Sequence, residues 1–154
     1  MIDCIGRPLL GQWTWDVRRM LDAIVETDGS LPKEITVVGI GTAGPVALCA
    51  AAIDERISHA MTLDSLASYV TDEPYHGQRL GLMVPGILRD IGDIAHIAAL
   101  IAPRQVTIAG GVTGDGKALE LEPLRAQFAF SHVVFSLHKA ESSLTIGEAK
   151  SALP

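Results

Sequence analysis

Apolar residues occur along the chain in two kinds of run. Four short, continuously apolar or β-branched stretches are bounded by turn residues, which is typical of strands in a parallel sheet. Between them, apolar residues recur at helical spacing, which predicts amphipathic or buried helices. The predicted strands are residues 35–40, 57–63, 105–109 and 132–137, and the predicted helices are residues 12–26, 45–54, 90–101 and 122–130.

Strands that alternate with helices predict an α/β fold. Right-handed crossovers then give a parallel, doubly wound sheet of about four strands with helices on both faces. We expect one domain over residues 1–140, and a tail over residues 141–154 that is a frayed helix or disordered. The unpatterned segment 65–88 is long for a loop inside a compact domain, and such loops are usually functional or excursions.

Composition narrows the class of partner. The chain has 154 residues, a formal charge of −6 and no basic stripe, which argues against nucleic acid and anionic membranes as partners. No apolar run reaches the ~18 residues of a membrane span. The start of the sequence has no signal-peptide pattern, which predicts a cytoplasmic protein. Cys4, Cys49 and the histidines have no metal-ligand spacing, so we expect neither a metal nor another cofactor.

The stretch from Ile35 into the apolar helix opened by Pro45 is the central unit of the predicted sheet. Its turn contains Gly39, Gly41 and Gly44, which satisfy the dinucleotide pattern G-x-G-x-x-G. Asp64 follows Gly44 by 20 residues, where a ribose-binding acid is expected. Against a nucleotide site, Pro45 lacks a backbone donor beside the position of the phosphates. The same stretch matches the hydrolase pattern G-x-S-x-G except at its central residue.

Several ordered segments favour the hydrolase interpretation. Residues 6–22, which contain Gln-Trp-Thr-Trp-Asp, resemble the helix before the nucleophile elbow in acetyl xylan esterase-like and dienelactone hydrolase-like proteins of the α/β-hydrolase superfamily. The resemblance continues to His138, so it covers nearly the whole sequence. The later segments that are similar to the family are Ala-Ala-Ile-Asp-Glu-Arg-Ile (51–57), Leu-Ala-Ser-Tyr (66–69), Val-Pro-Gly-Ile-Leu (84–88) and Ala-Leu-Ile-Ala-Pro-Arg (99–104).

The resemblance assigns positions to a catalytic triad. Gly41 occupies the position of the nucleophilic serine and has no side chain to attack with. Asp115 falls where the family has its acid, with an ordinary turn residue as the alternative. His138 falls near the position of the histidine, ahead of His132, although we favour a plain surface histidine.

Two serines are candidates for a substitute nucleophile. Ser65 and Ser68 stand after the second predicted strand, where we expect loop hydrogen bonds instead of catalysis. The earlier strands of the family fold are absent from this sequence, together with the loop that supplies one oxyanion-hole N–H group. The resemblance therefore implies a relative of carboxylic-ester hydrolases, with a small-molecule ester as ligand class and a degenerate elbow. The alternatives are a nucleotide- or dinucleotide-binding module and a non-catalytic assembly domain.

One expectation concerns partners. In the family fold the elbow strand is central, whereas here the strand 35–40 would be an exposed apolar edge, which natural proteins rarely leave unprotected. We expect this edge to be covered, either by a second copy of the chain across a two-fold axis or by the N-terminal segment.

Overall fold

The computed structural model describes residues 8–76 and 83–149. Its helices are α1 (Leu9–Asp28), α2 (Gly44–Ile53), α3 (Ile87–Asp90), α4 (Ile94–Ala99), α5 (Leu121–Gln127) and α6 (Ala129–Leu137). Its strands are β1 (Thr36–Ile40), β2 (His59–Leu66), β3 (Gln105–Val112) and β4 (Leu144–Gly147). Within these ranges, none of the helices has the length and apolar character needed to cross a membrane.

The four strands form one sheet in the order β1-β2-β3-β4, and every neighbouring pair is parallel. The predicted α/β fold with a four-stranded parallel sheet is therefore confirmed. The first three predicted strands correspond to β1, β2 and β3, and the predicted amphipathic helix corresponds to α1.

The strand order refines the expected placement of the helices. The order never reverses, so right-handed crossovers put α2, α4 and α6 on the same face of the sheet. These helices form one layer, because α2 packs against both α1 and α4, and α4 packs against α6. On the other face, at the β1 edge, the side chains of Val38 and Ile40 are 48% and 66% exposed.

The C-terminal part of the fold differs from the prediction. Residues 132–137 belong to α6 and not to a strand, and the fourth strand lies in the predicted tail at Leu144–Gly147. Periodicity alone cannot assign a short apolar run to a helix or a strand. Here the helix is favoured by buried contacts of residues one helical turn apart. Ser131 and Phe135 are fully buried, and the Ser131 hydroxyl donates to the Ala95 carbonyl oxygen in α4. Leu144 is buried opposite Val106 of β3, so a frayed or disordered state is wrong for residues 144–147. Residues 150–154 of the predicted tail lie outside the described residues, and the domain limit at residue 140 stays a prediction.

Helix α2 is apolar all round because it is covered on several sides. It lies between the sheet and the helices α1 and α4, and most of its residues are buried. Those buried residues are Gly44, Pro45, Val46, Ala47, Leu48, Ala50 and Ala51. A helix buried in this way has no amphipathic stripe, which explains the uniform apolar pattern in the sequence.

A cluster of charged residues holds the end of α2. The Asp54 carboxylate, only 5% exposed, accepts hydrogen bonds from Arg56 at 2.6 Å and from Arg18 at 3.3 Å. Arg104 donates to the carbonyl oxygens of Ala51 and Ile57 and so connects the helix end to the start of β3. The hydrogen bonds from Arg56 lower the pKa of Asp54 from 3.8 to about 2.

This shift predicts an acid-sensitive fold. A carboxyl whose pKa is lower in the folded state contributes stability that is fully present above its unfolded pKa, near 4, and is lost as the pH falls towards 2. The shift corresponds to about 2 kcal/mol of unfolding free energy. We expect Asp54→Asn to remove most of this pH dependence when urea unfolding is measured between pH 5 and pH 2 (roughly the range in which such a carboxyl titrates). Asp16→Asn, on the exposed surface of α1, is the control and should retain it; an unchanged pH dependence in Asp54→Asn would contradict the assignment.

Candidate functional site

The candidate site is the sharp turn that joins β1 to α2. β1 ends at Ile40, a single 3-10 turn occupies Gly41–Ala43, and α2 begins at Gly44. Gly41 has φ +56°, in the left-handed region that favours glycine. A strand, one tight turn with a left-handed residue and a buried helix together make the backbone geometry of a nucleophile elbow.

The three glycines of the turn have different surroundings. A Cβ atom on Gly39 would collide with the Ala43 carbonyl oxygen, and one on Gly44 would collide with the Ser65 hydroxyl on β2. A Cβ atom on Gly41 would meet no atom within 4 Å. Gly39 and Gly44 are thus required by packing, whereas Gly41 is the one of these three glycines at which an added side chain has open space.

Asp115 lies at the same edge of the sheet as the elbow. It follows β3, and parallel strands present their carboxyl ends at one edge, so the predicted acid and the elbow share that edge with β2 between them. Its carboxylate accepts a hydrogen bond from the Thr113 hydroxyl. It also forms an ion pair with Lys117, whose Nζ lies 2.8 Å from Oδ2 of Asp115. The hydrogen bond from Lys117 has the largest effect on the pKa of Asp115, followed by that from Thr113. Together they hold this pKa well below its ordinary value. The acid is therefore held within its own turn, and only the short spacing Asp115-Gly116-Lys117 hints at this pairing in the sequence.

His138 does not join this edge. It is an exposed residue that ends α6, so the prediction that it ends a strand is wrong. The chain next enters β4 at Leu144, which pairs with Val106 near the start of β3. His138 thus precedes the beginning of a strand, at the edge opposite the elbow, and His132 lies on the exposed surface of α6. The described residues after β4 are Glu148 and Ala149, neither of which is a histidine.

Neither Ser65, which lies in β2, nor Ser68, which follows it, is placed for attack. Ser65 is 4% exposed, and its hydroxyl lies against Gly44 without a hydrogen-bond partner among the described residues. The Ser68 hydroxyl donates to the carboxylate of Asp93. Ser68 therefore makes a loop hydrogen bond, as expected, whereas Ser65 packs beneath the start of α2, a contact that the sequence pattern does not reveal.

The residues of the nucleotide hypothesis are partly separated. Asp64 is exposed, and its backbone has φ +45°. Its carboxylate lies next to Gly110 on β3, on the side of β2 away from the elbow on β1. A ribose-binding acid would need to approach a ligand held at the glycine turn. The residues at 8–76 and 83–149 also contain no group of three metal-ligating side chains that could hold an ion.

Solved structures with a similar fold include carbohydrate esterases. A family 15 glucuronoyl esterase from Caldicellulosiruptor kristjansonii superposes with a TM-score of 0.65 at 22% identity. The catalytic domain of a glucuronoyl esterase from Hypocrea jecorina gives 0.68 at 17% identity, and a protein described as an acetyl xylan esterase from Bacteroides fragilis gives 0.66 at 13% identity. The chain has an α/β-hydrolase-type fold. At these identities the likeness concerns the fold alone.

The α/β-hydrolase match is one-sided in length. It covers 90%, 90% and 93% of this chain but 44%, 45% and 37% of the three esterases. The chain therefore spans less than half the length of each of these neighbours. No family model matches the sequence, and no curated protein matches it.

The surroundings of the hydrolase-type turn predict unequal costs for adding a methyl group. We expect Gly41→Ala to lower the unfolding free energy by about 1 kcal/mol, because the new Cβ has space but the left-handed backbone is disfavoured. Gly39→Ala should cost about 3 kcal/mol or more, because its Cβ meets the backbone of the same turn. Urea unfolding of the two variants measures the difference. Equal losses would contradict the open position at residue 41.

Proposed function

We propose that the chain is an esterase-related α/β-hydrolase domain whose elbow retains the backbone of a catalytic turn without its nucleophile. The observation that carries this proposal is the open space at Gly41, at φ +56°, between two glycines that packing requires. In the hydrolase elbow that position presents the attacking side chain. The domain in its present form would not hydrolyse esters by the serine mechanism.

The other parts of the mechanism support the same proposal. A general base must lie within hydrogen-bond reach of the nucleophile, and His138 is at the opposite edge of the sheet. Asp115 is ion-paired with Lys117, so its carboxylate is already engaged within its own turn. Without an attacking side chain at residue 41 and a base within reach of it, the serine mechanism has little catalytic capacity.

What remains is a site for the carbonyl group of an ester. The first N–H groups of the unit formed by Gly41–Ala43 and α2 have no helical acceptors, and the positive end of the helix dipole is directed at the turn. The named neighbours are described as glucuronoyl esterases and as an acetyl xylan esterase. A small carboxylic ester is therefore the ligand class that we propose for the elbow.

The nucleotide-binding alternative has weaker support. Its acid, Asp64, leans towards β3, and Pro45 leaves one N–H group missing at the start of α2. Dinucleotides bind in a crevice where the strand order reverses, next to a strand with neighbours on both sides. β1 is instead the first strand of an order that never reverses.

The elbow assignment predicts that a thiol at position 41 becomes acylated. A cysteine at a helix N-terminus has a pKa below its usual ~8.5, so it provides a thiolate without a histidine. In a Cys4→Ser background, we expect Gly41→Cys to release a single equivalent of p-nitrophenolate from p-nitrophenyl acetate and then stop. We expect the stop because His138, the histidine that the resemblance assigns as the base, ends α6 at the opposite edge of the sheet.

Thr42→Cys in the same background is the matched control, because residue 42 is also exposed but lies one position beyond the presented residue. We expect the acylation rate of this variant to be lower than that of Gly41→Cys by a factor of roughly ten or more, because its thiol lacks the elbow geometry. The native Cys49 should stay silent, because burial raises its pKa to about 11. Equal rates for the two variants would contradict the elbow assignment. Steady turnover by the unaltered protein that Asp115→Ala abolishes would contradict the loss of catalysis.

A further inference from the structure

In the described part of the chain, the edge of the sheet at β1 is not covered by another strand. Among residues 8–76 and 83–149, β1 pairs only with β2. Natural edge strands are usually blunted by lysine, proline, a bulge or a very short length. The five residues of β1 (36–40) include no lysine, no proline and no other charged residue. They pair with β2 without a bulge.

This edge also carries exposed apolar side chains. Val38 and Ile40 lie on the sheet face opposite the helix layer, where they are 48% and 66% exposed. In the sheet register, Val38 is next to Met61 of β2, and Ile40 is next to Leu63. The exposed edge therefore continues an apolar strip that is already formed within the sheet, and such a strip is stabilised by burial.

We propose that a second copy of this chain pairs with β1, antiparallel, about a two-fold axis at Val38. The two sheets then form one continuous sheet of eight strands, four from each copy. A two-fold contact places the same surface on both sides, which a single exposed strand satisfies by pairing with itself. This proposal is independent of any hydrolytic activity.

Charge and side-chain pattern favour this occupant and this register. Val38 faces Val38 of the second copy, and Thr36 faces Ile40, so apolar and β-branched side chains meet across the axis. The nearest charged residues are Lys33 and Glu34, which precede β1. In this register they lie opposite Ala43 and Thr42 of the other copy, and like charges never face each other.

The same register brings the second copy to the elbow. The strand of the partner runs antiparallel, so its residues before β1 pass beside the turn that follows β1. Lys33 and Glu34 of one copy, both exposed in the single chain, then flank Gly41–Ala43 of the other. Each candidate site would be completed by one cation and one carboxylate that the chain alone does not place there.

The first test compares two exposed edge positions in the same register row. Val38 of β1 aligns through Met61 and Thr107 with Thr145 of β4, the other edge of the sheet. By sedimentation velocity, we expect the unaltered protein and Thr145→Lys to be dimers, and Val38→Lys to be a monomer with an unchanged circular dichroism spectrum. Two lysines would face each other across the axis in Val38→Lys and repel. A monomeric unaltered protein, a larger open assembly, or a dimer that survives Val38→Lys would overturn the proposal.

The second test addresses the register and any failure of a variant to fold. Val38→Lys and Val38→Glu should each be monomeric alone, because each places like charges across the axis. Mixed in equal amounts, they should form a dimer that contains one of each, because opposite charges then face each other. Thr145→Lys mixed with Thr145→Glu is the control, and should show homodimers and mixed dimers without preference. Absence of mixed dimers from the Val38 pair would overturn the pairing about Val38.

Discussion

The structure depends on how closely the start of α2 approaches the sheet. Gly39 leaves space for the backbone of Ala43, and Gly44 leaves space for the hydroxyl of Ser65 on β2. These two contacts let the chain turn from strand to helix within one 3-10 turn and bury α2 between the sheet, α1 and α4. The shape of the turn is therefore determined mainly by packing at Gly39 and Gly44 in the first βαβ unit. It does not depend on the side chain at position 41.

The order of the strands determines the two surfaces that remain available. Because it runs from β1 to β4 without reversal, the crossover helices lie on one face and β1 is an outer strand. In an α/β sheet the ligand crevice forms where the order reverses, and the strand order of the described residues contains no reversal. The uncharged edge and the candidate turn both lie beside the position at which we propose that a second copy pairs with β1.

Prediction from the sequence succeeded where a pattern had one structural solution. A β-branched run, three glycines and an apolar helix specify β1, the turn and α2, and the length of the helix at residues 12–26 specifies α1. The placement of Asp115 after β3 followed from the order of the elements. Its pairing with Lys117, and the leaning of Asp64 over Gly110, could not be predicted, because they depend on side-chain conformations within turns.

Prediction failed where a short apolar run had two solutions. Residues 132–137 fit a strand by composition, but Ser131 and Phe135 dock onto the helix layer as one face of α6. The four residues of β4 are too few to show a period, and only pairing with β3 identifies them. The position inferred for His138 depended on this assignment, so one error in secondary structure moved a candidate catalytic residue from one edge of the sheet to the other.

Stability and catalysis make opposite demands at position 41. A side chain with φ near +56° is disfavoured by roughly 1–2 kcal/mol, and an active hydrolase accepts that strain in order to present its nucleophile. Glycine removes the strain while the packing at Gly39 and Gly44 keeps the turn unchanged. A glycine at this position therefore makes the fold more stable than a residue with a side chain would, because it adopts the left-handed backbone without strain.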